Sequence, residues 1–421
     1  MTARTQFLSI IFVFLFSANI QAQLNLEDCR QKAQDNFPAI RKYQLIEKSE
    51  AFNLSNAAKA WLPQLQLNMR ATYQSTVTEI PIELPGLDIP KLKKDQYVAT
   101  LDVSQVIWDG GVIRSQRNMT KAAAEVEYRL LETELYAINE RVNQLFFGIL
   151  LCDEQQKQNQ LLMEEIGRNY EKVQSYVALG VANSTDLDAV KVEELNAKQI
   201  RTQIESTRRA FVEMMALMID EKLDEKTILQ MPEMPENTLS SEIERPEMKL
   251  FQAQNRMYES QKSLIQSANW PKIGLFLQGG YGRPGLNMLS NTFDWFYIGG
   301  LRLSWNFGAL YTQKNDLQKI KIDQNRVETQ RDVFLYNLNL AVSQENQEIK
   351  RLREIMHDDD EIITLRENIR KATEAKMANG TATVTDLMRE LTQENMARQT
   401  KAAHTINLLK TIYDLKNTTN N

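Results

Sequence analysis

The chain has 421 residues, with 50 Lys and Arg against 55 Asp and Glu, for a formal charge of -5. A modestly acidic chain of this kind is no nucleic-acid binder by charge. Its two cysteines, Cys29 and Cys152, make no disulfide framework.

Residues 1–22 read as a secretory signal peptide. Arg4 gives a thin positive start, and Phe7 to Phe16 is an apolar run too short to span a bilayer. Removing the segment takes away one Arg and no acid, so the charge goes from -5 to -6. Cys29 follows Glu27 and Asp28 rather than small residues, so no lipid anchor is expected there. After the signal no stretch of 18 or more apolar residues occurs, so any crossing of a membrane must be made by strands.

A leading helix is expected over 25–60, then strands over about 64–75 and 97–107. In the first, Leu65, Leu67, Met69, Ala71 and Tyr73 alternate with Gln66, Asn68, Arg70 and Thr72. In the second, Tyr97, Ala99, Leu101 and Val103 stand opposite Thr100, Asp102 and Ser104. This is the period of two that a half-buried strand or a barrel strand shows. Helix resumes at Gly111 and runs about 70 residues to Gly180, then returns to about 230. A second leading helix from 247 precedes strands over about 273–283 and 297–307. The last of these sets Leu301, Leu303, Trp305 and Phe307 against Arg302, Ser304 and Asn306. Another helix of about 70 residues reaches Gly380 and returns to 415. At 1.5 Å per residue either descending arm reaches roughly 105 Å.

Each strand is about ten residues, the length a tilted strand needs to cross a bilayer. All five Trp lie at or just beyond strand ends, and Tyr73, Tyr97, Tyr281 and Tyr297 mark the opposite rim. The polar face must then line a wet lumen, because a charge in lipid costs about 2–4 kcal/mol at mid-depth. Candidate lumen residues are Gln66, Asn68, Arg70, Thr72, Thr100, Asp102, Ser104, Arg302, Ser304 and Asn306. Four strands cannot close a barrel, so the chain must oligomerise: two copies would give eight strands and three would give twelve.

At the tips, Gly180 and Gly380 suit the left-handed C-terminal position of a helix. Asn183-x-x-Asp186 and Thr383-x-x-Asp386 read as variants of the capping box that restarts one. Near the tips Ile166, Tyr170, Val173 and Val177, and Ile362, Leu365, Ile369 and Ala372, have coiled-coil spacing. Much of this is said twice. Pro38 and Pro63 recur as Pro246 and Pro271, offset by 208; Gly180 and Thr185-Asp186-Leu187 recur as Gly380 and Thr385-Asp386-Leu387, offset by 200. The expected division is a signal over 1–22, a first repeat over 23–230, a linker or equatorial segment over 231–246, a second repeat over 247–415 and a disordered tail over 416–421.

The duplicated layout, with Asn36-x-Pro38, Trp61-x-Pro63, Asp109-Gly110-Gly111 and the doubled Gly-x(4)-Thr-Asp-Leu, resembles the TolC-type outer-membrane efflux proteins over the whole mature chain. The resemblance implies a mainly α fold with a transmembrane β-barrel: a homotrimer whose twelve-stranded barrel stands on a coiled-coil tunnel of helical hairpins in the periplasm. It implies docking to a periplasmic adaptor and an inner-membrane pump of RND or ABC type, in efflux or type I secretion. Asp186 and Asp386 match acids at the family's periplasmic gate, although capping alone would also explain them. Arg389, Ala382 and Met377 depart from the family pattern, so an Arg- and Tyr-based lock is not expected; Asp386 and Arg389 are spaced to pair with each other. Leu179, Gly180, Val181 and Gly380 match the adaptor-docking end.

No enzyme is expected. His357 and His404 lie on separate helical stretches, without a catalytic context or metal-ligand spacing. No phosphate-binding glycine loop occurs, and the methionines scatter over helix-core positions, so neither a cofactor nor a metal relay is expected. Cys29 and Cys152 could pair or stay free. Two other readings remain: a periplasmic adaptor, which would carry a single hairpin, and a structural coiled-coil envelope protein, which would need no Trp-ended strands.

Overall fold

The computed structural model describes residues 24–78, 92–224, 226–235 and 243–420. The signal segment 1–22 and part of the 231–246 linker lie outside them. The described residues divide between two compact units, one drawn from Met1–Phe37, Ile138–Ser240 and Gln344–Asn417, the other from Pro38–Ala137, Ser241–Ser343 and Thr418–Asn421.

Asn25 caps α1 (Leu26–Asn36), its Oδ1 accepting from the Asp28 N–H at 2.7 Å. Pro38 ends that helix by forcing Phe37 into extended backbone, and a 3-10 turn leads into α2 (Lys42–Lys59). The leading helix expected over 25–60 is therefore two helices, broken at the proline.

β1 (Gln64–Tyr73), β2 (Asp95–Trp108), β3 (Lys272–Arg283) and β4 (Asp294–Ser304) form one antiparallel sheet in the order β1-β2-β3-β4. Both outer strands, β1 and β4, have an unpaired edge among the described residues. The register sets apolar against apolar: Leu67 faces Leu101, Leu65 faces Val103, and Leu275 faces Leu301. This apolar face has no cover, with Leu65 70%, Met69 74% and Leu301 71% exposed. Asn306, expected to line the wet face, lies beyond β4; its Oδ1 accepts from the Gly308 N–H at 3.1 Å.

In the same unit α3 (Val112–Tyr136) starts on a tight cap. Buried Asp109 accepts from the N–H groups of Gly111 at 2.8 Å and Ile113 at 2.6 Å. Gly110 is required there, since its φ is +73° and a Cβ would meet the Trp270 Cβ at 2.5 Å. α3 packs against α2 and α6 (Pro246–Ala268).

The first descending arm is interrupted at Ala137 and continues as α4 (Ile138–Ala178), a break that no Gly or Pro announces. Its return, α5 (Ser184–Ile219), stops about a dozen residues before the expected 230. Asp220 there adopts left-handed backbone, φ 51°, and Asn36 Nδ2 donates to the Ile219 carbonyl at 2.5 Å. The second arm, α7 (Ala309–Ala378), is one helix of 70 residues. Its return, α8 (Val384–Thr419), outlasts the expected end at 415. Residues 416–419 are helical rather than disordered because the end is tied: the Thr419 carbonyl accepts from the Glu244 N–H at 3.1 Å, and Asn420 Nδ2 donates to the Glu244 carbonyl at 2.8 Å.

The first unit has its core in α4, α8 and the lower part of α7. Phe146, Phe147, Ile149, Leu352, Ile406 and Ile412 are each at most 1% exposed. Burial of this kind stabilises by about 1.5–3 kcal/mol per large side chain. Cys29 and Cys152 are buried free thiols in this unit, and burial pushes the Cys29 thiol up to about 11.

Candidate functional site

Two places carry the residues that sequence reasoning singles out. The first is the polar face of the sheet. Alternation and register bring Gln66, Asn68, Arg70, Thr72, Thr100, Asp102, Ser104, Arg302 and Ser304 to one side. Asp102 organises its middle. Its Oδ2 accepts from Asn68 Nδ2 at 2.6 Å and Thr100 Oγ1 at 3.2 Å, and its Oδ1 from Gln278 Nε2 at 2.5 Å. The Arg302 guanidinium lies 4.8 Å over the Phe276 ring.

Gln278, Phe276, Phe296 and Ile298 belong to this face and were not foreseen. Lys272-x-Gly274-x-Phe276-x-Gln278 carries the period of two, but the glycines on that face hid it. The glycines make room for rings from the neighbouring strand: a Cβ at Gly280 would meet Phe296, and one at Gly300 would meet Phe276.

Aromatic side chains mark both ends of the strands. At one end Trp108 and Trp270 meet edge-on at 6.5 Å, and Trp305 Nε1 donates to the Asn269 carbonyl at 3.0 Å. At the other, Tyr281 lies 5.5 Å from Phe293 and 4.9 Å from Trp295, with Arg283 over Phe293 and paired to Asp95. Amphipathic rings in such belts suit a membrane–water boundary.

The second place is the pair of helical tips, both within the first unit. Gly180 and Gly380 take φ +73° and +72°. At each tip the helix closes by a Schellman motif. Val181 N–H donates to the Tyr176 carbonyl and Gly180 N–H to Val177; Thr381 and Gly380 do the same to Lys376 and Met377. Asp186 Oδ2 then accepts from the Asn183 N–H at 2.9 Å. Asp386 Oδ2 accepts from the Thr383 N–H at 3.1 Å and hydroxyl at 2.7 Å. These hydrogen bonds, the hydroxyl first, hold the Asp386 carboxyl below its ordinary value. Arg389 lies 3.5 Å from Asp386 and 3.1 Å from Glu390.

Behind the tips Ile166, Val173, Val190, Met377, Val384 and Leu387 form one apolar cluster, flanked by Tyr170 and Val177. Leu179 and Val181, by contrast, are 75% and 74% exposed. The seam expected at Ile362, Leu365 and Ile369 is open, each residue being exposed. Arg370 bridges α7 and α8 through Glu394 at 2.6 Å, and Lys172 on α4 reaches Glu374 on α7 at 3.2 Å. His404 Nδ1 pairs with Asp359 Oδ2 at 2.9 Å. Among the described residues no cluster of three or more His, Cys, Asp and Glu has metal-binding geometry, and no helix is long and apolar enough to cross a membrane.

A sequence model of a known family matches the first half of this framework. Residues 29–213 match the outer membrane efflux protein family. The match covers somewhat less than half of the chain, and over those residues it agrees with the resemblance to the TolC-type efflux proteins. The family is one of efflux proteins and not of enzymes. Solved structures extend the likeness of fold over almost the whole chain. The outer membrane protein VceC of Vibrio cholerae superimposes with a TM-score of 0.67 at 11% identity, covering 93% of this chain and 95% of its own. The Campylobacter jejuni CmeC outer membrane channel gives 0.66 at 12% identity, over 93% of this chain and 85% of its own. The open state of the Neisseria gonorrhoeae MtrE outer membrane channel gives 0.65 at 14% identity, over 93% and 88%. No curated protein matches the sequence. The chain therefore has the mainly helical, four-stranded fold of the outer-membrane efflux channels.

Proposed function

We propose that the protein is the outer-membrane exit duct of a tripartite efflux or type I secretion system. One observation carries this reading: a four-stranded sheet with an uncovered apolar face, a hydrogen-bonded polar face and, among the described residues, an unpaired edge on each outer strand. Such a sheet satisfies its backbone in lipid only by closing on other copies. Three copies give twelve strands around a lumen lined by Gln66, Asn68, Arg70, Thr72, Thr100, Asp102, Ser104, Arg302 and Ser304. The hairpins then stand in the periplasm, where Ile362, Leu365 and Ile369 meet a neighbouring copy.

The duct moves solutes passively, and the energy comes from an inner-membrane pump of RND or ABC type. Leu179, Gly180, Val181 and Gly380 dock a periplasmic adaptor; exposed apolar side chains on a solvated tip need such a partner. Asp186, Asp386 and Arg389 gate the entrance in addition to capping their helices. The test is single-channel conductance of the purified protein in planar bilayers, wild type against Asp386→Ala. A stable pore whose closed fraction falls in the variant is expected; no pore in either sinks the reading. Cell fractionation adds an independent check, since the protein should sit in the outer membrane as a heat-sensitive oligomer.

A further inference from the structure

We propose that the polar wall of the sheet holds a weak, transient binding site for amphipathic organic cations, in which Asp102 meets the positive centre and Phe296 and Ile298 meet the apolar body. The proposal rests on the duct reading, in which this face lines the lumen.

Register brings the parts together. Asp102, Gln278 and Ile298 share one rung across β2, β3 and β4, and Thr100, Gly280 and Phe296 share the next. Adjacent strands are about 4.8 Å apart, so acid and apolar groups fall within the length of one small amphiphile. The Phe296 ring closes the gap further. It lies on β3 over Gly280, where a Cβ would come within 2.3 Å of its Cζ. It therefore leans toward Thr100, whose hydroxyl donates to Asp102.

Asp102 is held but not neutralised. Its three side-chain donors, Asn68, Thr100 and Gln278, are all uncharged. Of the other charges on this face, Arg302 rests on Phe276 and also acts on Asp102 through its charge, while Arg70, Lys272 and Asp294 stand on other rungs. Ile298 is 39% exposed, an apolar side chain left on the wet side of the sheet. The Arg302–Phe276 contact is a built-in example of a cation resting on an aromatic ring of this wall. A small inorganic cation keeps its water before a single carboxylate. A bulky organic cation is weakly hydrated and also gains by covering Phe296 and Ile298. Conduction requires that such a site release its occupant readily.

The test is block of single-channel current in KCl by benzyltributylammonium, with 4-butylbenzenesulfonate as the anionic counterpart. The wild-type channel is expected to show brief interruptions with the cation and none with the anion. Asp102→Asn should weaken the block about tenfold. Phe296→Leu, which still covers Gly280, should weaken it about threefold. Recovery of the heat-sensitive oligomer from membranes in both variants, at the wild-type level, shows that the barrel is intact. Equal block by cation and anion, no block, or block indifferent to Asp102→Asn overturns the proposal while leaving the duct standing. A protein without any pore removes both.

Discussion

Asp109 shows how much a single side chain can settle. With Gly110 and Gly111 it turns β2 into α3 in three residues, spending both carboxylate oxygens on backbone N–H groups that the helix leaves unpaired. Asp109→Ala should cost about 1 kcal/mol, seen as a lower temperature of oligomer dissociation. Asp386 serves the second tip in the same way, and its proton linkage follows from the depressed carboxyl. A group whose folded-state value is lowered stabilises above its ordinary value and loses that contribution as pH falls through the lowered one. The second tip should therefore loosen as pH drops below 3.8, the ordinary value. Faster amide exchange at Thr383–Leu387 in acid would report it, and Asp386→Asn should flatten the dependence. Asp386 was legible in the sequence as a cap because capping chemistry is local, whereas Asp109 stood out only as part of the motif that carries the family resemblance. Gln278, Phe276 and Phe296 were not, because their importance comes from partners on neighbouring strands.

At the scale of elements, the strands were readable to within three residues, since alternation persists wherever one face must be apolar. The faces differ in what they tolerate. Leu67→Arg, in the middle of the uncovered apolar face, should cost about 2–4 kcal/mol and reduce assembled oligomer recovered from membranes. Gln66→Arg, one residue away on the other face, should assemble normally and alter conductance only. Equal loss in both would mean that the faces have been read wrongly. Helix ends were less legible. Pro38 splits the leading helix although it was visible in the sequence. Asp220 ends α5 by adopting left-handed backbone, which one aspartate among many does not advertise. Thr419 is held by Glu244, a contact made across a wide gap in sequence that no local propensity could foretell.

At the scale of the whole molecule, the fold was legible because the layout is written twice in one chain, and doubled weak motifs exclude most coincidences. What local sequence could not supply is the number of copies, because a free strand edge says only that a neighbour is needed. The outer strands β1 and β4 carry a genetic consequence. A copy with Leu67→Pro would keep a sound β4 to join a ring and offer a spoiled β1 that cannot seal it. One bad subunit then ruins the vessel it enters. In the proposed trimer, equal expression beside the normal gene should leave about one assembly in eight watertight, and loss of the proposed export would be inherited as a dominant trait.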